Sequence, residues 1–324
     1  MHRHINTFVE SNIMLNVSSG FLRPLAAILA GALVLGTAVT GVHAQDLKIQ
    51  HAKGETAVPL KPKKVLVLDL ASLDTLNALG VEVSGVPTAR FPEYLSKYGS
   101  DKYEKIGTLF EPNYEAVNAA EPDLIIVGGR SSAKYAELAK IAPTIDMTVD
   151  PNDYVASVKR NVGLLGKIFD KQADADAQLA KLETSMAALR QEASKAGKGL
   201  LVLTTGGKMS AYGPGSRFGL LHGDFGVVPA VEGLATTNHG QAVNAEFILK
   251  TNPDWLFVID RDAATGQGSG AAKKVLDNDL VAQTSAFKNN RIVYLDPVNW
   301  YLIGGGVTAL QASIDQIAKA IAQK

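Results

Sequence analysis

The chain has 324 residues, 46% of them hydrophobic and 20% charged, with Lys+Arg and Asp+Glu balanced at 32 each. That balance excludes a broad basic face for nucleic acid, and the length exceeds one ordinary core while suiting two lobes of about 130 residues each. With no cysteine, disulfides and a lipid-bearing N-terminal cysteine are excluded as well.

Residues 24–42 form an almost uncharged run rich in Ala, Leu, Val and Gly, preceded by Arg23 and closing on Val42-His43-Ala44. This small-x-small ending predicts a signal peptide over residues 1–44, cut after Ala44, with Met1 or Met14 as the start. The run is short and broken by glycine, which argues against a membrane anchor. The expected product is soluble and periplasmic.

Residues 45–165 are expected to form a first α/β lobe. Residues 45–62 suggest a strand and hairpin, KKVLVLDL a buried strand, and ASLDTLNALG a helix stopped at Gly80. Residues 143–149 give a further strand, closed at Asp150-Pro151. From residue 152 to 198 the pattern is helical, and residues 166–198 are assigned to one long helix linking the lobes. Residues 199–324 form the second lobe. It opens with the strand GLLVLTT, continues through a glycine-rich loop, and ends on the strand RIVYLD, the loop VNWYLIGGG and a helix over residues 307–323.

The organising feature is a repeat. NYEAVNAAEPDLIIVGGR, residues 113–130, returns as NAEFILKTNPDWLFVIDR, residues 244–261, and the two agree at Asn113/Asn244, Glu115/Glu246, Pro122/Pro253, Asp123/Asp254, Val127/Val258 and Arg130/Arg261. In each copy a helix stops before Pro-Asp, and an unbroken apolar run then reads as a strand buried on both faces, as in parallel sheets. Ligands bind beyond the carboxyl ends of such strands, and each copy places an arginine there. The expected fold is therefore α/β: two Rossmann-like lobes with central, mainly parallel sheets, joined by one long helix, with the ligand cleft between them.

Catalytic chemistry finds little support, since no Cys nucleophile, GxSxG elbow or P-loop is present. The only histidines beyond residue 44 are His51, His222 and His239, scattered over separate segments, which argues against a zinc or manganese carrier. Anion binding is better supported. Arg130 and Arg261 occupy equivalent strand ends, Arg217 lies in GPGSRFG, and guanidinium groups sharing a cleft bind anions through charge-assisted hydrogen bonds. Gly304-Gly305-Gly306 opens a helix and is either an anion site or a tight packing element. His239 in TTNHGQAVN and Tyr301 in NWYLIGGG should open at the same edge, where an imidazole and a phenolate are plausible donors to ferric iron.

These segments, with PNYEAVNAAEPDLIIVGGR and LDPVNWYLIGGG, make the chain resemble the periplasmic substrate-binding proteins of ferric siderophores, class III in fold and of the enterobactin and petrobactin type. The resemblance implies a non-enzymatic carrier that captures a ferric catecholate and passes it to an inner-membrane ABC permease. It implies that Arg130, Arg217 and Arg261 contact the anionic chelate. It further implies that His239 and Tyr301 complete the iron shell when the siderophore is tetradentate. No intrinsic cofactor is implied, and the protein is expected to be a monomer. Asp74, Glu115 and Glu246 are the candidate acids for docking on the permease. The alternatives are a heme, cobalamin or hydroxamate-siderophore carrier of the same fold and, from another class, an α/β enzyme acting on siderophores.

Overall fold

A computed structural model describes residues 46–268 and 270–323, so the predicted signal peptide lies outside the described residues. The chain opens with the antiparallel hairpin β1 (Leu47–His51) and β2 (Gly54–Val58). The first sheet follows, built from β3 (Val65–Val67), β4 (Gly85–Val86), β5 (Glu104–Lys105), β6 (Leu124–Val127) and β7 (Thr144–Asp146). Its order is β5-β4-β3-β6-β7 and every pairing is parallel.

The second sheet contains β8 (Lys198–Thr205), β9 (Lys208–Tyr212), β10 (Val228–Pro229), β11 (Gln241–Val243), β12 (Trp255–Asp260) and β13 (Ile292–Tyr294). The order is β11-β9-β8-β12-β13, with β10 against the start of β8. The strands β8, β12, β13 and β10 run parallel, whereas β9 and β11 are antiparallel. The segment around KMSAY, expected to be glycine-rich loop, is thus the strand β9. It is turned back from β8 by Gly206 and Gly207 at φ 54 and 78°, both in the left-handed range that a two-residue hairpin of this kind demands.

The repeated sequence is repeated structure. Asn113 and Asn244 cap the helices Tyr114–Ala119 and Ala245–Thr251, their side chains accepting from Ala116 N and Phe247 N. The Asp123 carboxylate accepts from Lys63 N and Lys64 N at 2.7 and 2.8 Å, and Asp254 accepts from Lys198 N at 2.7 Å. Each aspartate thereby ties its own strand to the start of the strand beside it, β6 to β3 and β12 to β8. LIIV and WLFVID are buried throughout.

The stretch expected to be helical, residues 152–198, holds two helices, and the second lies within the 166–198 assigned to the link. Tyr154–Ile168 ends at a turn in which Asp170 takes φ 55°, and Gln172–Ala193 runs for 22 residues, about 33 Å. Gly166 allows the two to meet closely, since a Cβ there would stand 2.7 Å from Ala175 Cβ. The final helix, Val307–Ala322, packs on Gln172–Ala193 and returns to the helix Leu70–Ala78 that follows β3. One apolar core consequently runs through both lobes, from Val65 and Leu73 through Val158 and Leu182 to Leu201 and Leu310.

That return corrects one expectation. Asp74 is not an exposed docking acid: its side chain is 0% exposed and accepts from Thr308 N at 2.7 Å, while Thr75 Oγ1 receives Val307 N. The first lobe thus caps the N-terminus of the last helix with its own carboxylate. Gly306 is a packing element for the same reason, because a Cβ there would lie 2.5 Å from the Asp74 carboxylate. Burial pushes the Asp74 carboxyl up to about 6, against the pull of the donors around it.

Candidate ligand-binding site

The carboxyl ends of β3, β6 and β7 face those of β8 and β12 across a cavity of about 890 Å³, within the size range of small-molecule sites. Asp69, Arg130 and Met147 line it from the first lobe, and Thr205, Arg217 and Arg261 from the second.

Three cations converge on one ring. The loop after β13, expected as irregular, is a single π-helical turn over Val298–Ile303, a local widening often found at functional sites. It sets Tyr301 half-buried in the cavity wall. The Cζ atoms of Arg217, Arg130 and Arg261 lie 4.4, 5.2 and 5.7 Å from the Tyr301 ring centroid. Arg261 Nε donates to the Tyr301 hydroxyl at 2.9 Å and its Nη1 donates to Thr205 Oγ1 at 3.1 Å. Arg217 Nη2 donates to the Tyr301 carbonyl at 2.8 Å. Arg130 crosses from the other lobe, donating to the Tyr301 and Leu302 carbonyls at 2.5 and 3.1 Å.

No ion pair involves any of these arginines among the described residues; the pairs present are all made by lysines. The nearest acid to make itself felt is Asp69 in the same wall, whose charge acts on Arg130 without forming an ion pair with it. Burial, followed by repulsion from Arg217, lowers the Arg130 pKa from its usual value, yet a guanidinium keeps its proton. For Tyr301, burial opposes ionisation, but the Arg261 hydrogen bond and the charges of Arg217 and Arg261 outweigh it and hold the phenol below its ordinary value. In the same turn Asn299 Oδ1 and Trp300 Nε1 are buried with no hydrogen-bond partner among the described residues, and both residues line the cavity.

All five residues singled out from the sequence line this one cavity. The structure does not join His239 to Tyr301: His239 is exposed on the loop before β11, and no hydrogen bond or ring contact links the two among the described residues. Nor does any group of three or more His, Cys, Asp or Glu among the described residues form a metal cage. The sequence reading missed Phe110 and Thr205. Thr205 was accessible in principle as the last residue of GLLVLTT, the strand whose carboxyl end faces the cleft.

Residues 65–298 match the model of the periplasmic binding protein family. The chain belongs to that family. It is 45% identical over 274 residues to the petrobactin-binding protein YclQ of Bacillus subtilis, covering 84% of this chain and 86% of the relative. It is 32% identical over 277 residues to the ferric-anguibactin-binding protein FatB of Vibrio anguillarum, again covering 84% and 86%. Among solved structures, the crystal structure of YclQ superposes with a TM-score of 0.83 at 43% identity, covering 86% of this chain and 99% of that one. The periplasmic catecholate-siderophore binding protein VctP of Vibrio cholerae gives 0.81 at 34% identity, covering 84% and 99%. These relatives are binding proteins by name. Among the described residues of this family member, no helix is long and apolar enough to cross a membrane.

Proposed function

We propose that this periplasmic binding protein captures a ferric catecholate siderophore and delivers it to an inner-membrane ABC permease. The observation that carries the reading is the set of three arginines around Tyr301, cationic, partly buried and in no ion pair among the described residues. Such a cluster costs free energy in the empty cleft and recovers it against a compact, multiply charged anion. A ferric tris-catecholate carries three negative charges on a rigid body, while heme, cobalamin and hydroxamate chelates offer less. The names of the relatives in Bacillus and Vibrio support the siderophore class.

In this reading Arg130, Arg217 and Arg261 grip the anionic chelate, and the iron is cargo that arrives inside it. Tyr301 and His239 serve a narrower purpose, closing the iron shell of a tetradentate siderophore that leaves two positions open. A phenolate oxygen has lone pairs enough to keep the Arg261 hydrogen bond and still bind Fe(III). The exposed Glu115 and Glu246, in the first turns of the two equivalent capped helices, are the docking acids of the two lobes. Export by a signal peptide cut after Ala44, release as a soluble monomer and carriage without catalysis complete the proposal.

The test is a set of single substitutions. Arg130→Ala, Arg217→Ala and Arg261→Ala should each weaken a ferric tris-catecholate by roughly 1.5 to 3 kcal/mol, tenfold or more in Kd. If two of the three bind as the wild type does, the chelate sits elsewhere.

A further inference from the structure

Phe110 is the most exposed large hydrophobic side chain among the described residues, at 59%, and it lines the mouth of the cleft. Its backbone is fixed on both sides. Thr108 Oγ1 accepts from Phe110 N at 3.2 Å and from Glu111 N at 3.0 Å, and Thr108 N donates to the Glu111 carbonyl at 2.8 Å. Gly107 at φ 111° closes the turn, where a Cβ would stand 2.4 Å from that same carbonyl, and Gly107 bridges Pro112. The Glu111 carboxylate pairs with Lys134 at 2.7 Å, which links the turn to the 3₁₀ segment Gly129–Lys134 carrying Arg130.

The fold therefore holds an apolar ring out in water on a rigid turn, tied to the segment that supplies one of the cleft's cations. A loose loop would let such a ring fold back onto the protein; this one is denied that freedom. The floor of the cleft is cationic and polar, and the lip is aromatic. The ligand that satisfies both is an anion that also presents flat rings toward solvent.

We propose that Phe110 is a specificity-determining residue that packs on an aryl ring of the bound chelate at the open lip of the cleft, favouring aryl-bearing chelates over non-aromatic anions of equal charge. This rests on the catecholate reading above and adds to it a contact that charge alone does not supply. Offset or edge-to-face packing of two rings gives more than the same apolar area without a ring.

The experiment is a fluorescence-quenching titration with ferric enterobactin of the wild-type chain and of Phe110→Tyr, Phe110→Leu and Phe110→Ala. The side chain is exposed, so all three variants keep the fold. Phe110→Tyr should remain within about twofold of the wild type, and Phe110→Leu and Phe110→Ala should each bind about three- to tenfold more weakly. Wild-type affinity in Phe110→Ala overturns the contact, and wild-type affinity in Phe110→Leu overturns its aromatic character. Neither result touches the catecholate reading, which fails separately, and takes this inference with it, if the wild-type chain leaves the ferric probe unbound.

Discussion

At the scale of single residues, the behaviour of Tyr301 is set by its neighbours. Its phenol ionises below the usual tyrosine value because Arg261 donates to its oxygen and Arg217 lies over its ring, despite burial. A depressed pKa means the phenolate is favoured by the fold. The stabilisation it brings is present above the unfolded value, near 10 for a free tyrosine, and is lost as pH falls through the folded one. In the proposed role Fe(III) would extend the same preference, since a ferric ion takes a phenol as its deprotonated oxygen. Tyr301→Phe and His239→Ala should therefore cost affinity for a ferric bis-catecholate, with its two open iron positions, and spare a ferric tris-catecholate that fills all six. Tyr301→Phe should also shift the charge-transfer band of the bis-catecholate complex. Equal losses for both ligands would reduce the two residues to wall positions.

At the scale of elements, the helix Leu70–Ala78 and the final helix Val307–Ala322 meet at Asp74. Its carboxyl is buried and raised to about 6, so the fold favours the neutral form. The sign follows: the stability contributed is fully present below the unfolded value of 3.8 and is lost as pH rises through about 6. The shift corresponds to about 3 kcal/mol. Asp74→Asn keeps an acceptor for Thr308 N without the charge, so urea unfolding should show the variant gaining on the wild type by about that amount between pH 4 and pH 7. A constant difference across that range would mean the carboxyl titrates normally. The proposed docking acids on the two capped helices give a further test. Reversing charge with Glu115→Lys or Glu246→Lys should impair siderophore-dependent iron uptake in cells while leaving the Kd for the ferric probe unchanged, and unaltered uptake would remove that residue from the permease contact.

The same elements show what was legible beforehand. β6 and β12 announced themselves because a strand buried on both faces has no polar alternation, and the Asn caps and Pro-Asp stops recur at fixed spacing. The strand β9 was obscured by glycines on both sides of KMSAY, although Gly206-Gly207 is itself a hairpin signal. Asp74 was misread because an acid on a helix is exposed by default. The start of the last helix, more than two hundred residues later in sequence, packs over it together with Tyr94. The π-helical turn at Val298–Ile303 has no local signature, so Tyr301 could be assigned to the cleft edge but its encirclement by three arginines could not be foreseen.

At the scale of the whole molecule, the two sheets share an apolar core, and the cleft between them is bridged by Arg130 to the Tyr301 and Leu302 carbonyls and by Arg90 to the Ala263 carbonyl at 2.9 Å. The molecule thus presents a cationic cleft bridged across its two walls, and the proposal is that an anionic ferric chelate fills it. The most direct measurement of that claim is a titration of the purified chain, residues 45–324, with ferric enterobactin and in parallel with hemin, following the fluorescence of Trp300 in the cavity wall. Saturable one-to-one quenching by the ferric catecholate, without saturable binding of hemin, is the predicted result. Tight binding of hemin with no response to the ferric catecholate would contradict it.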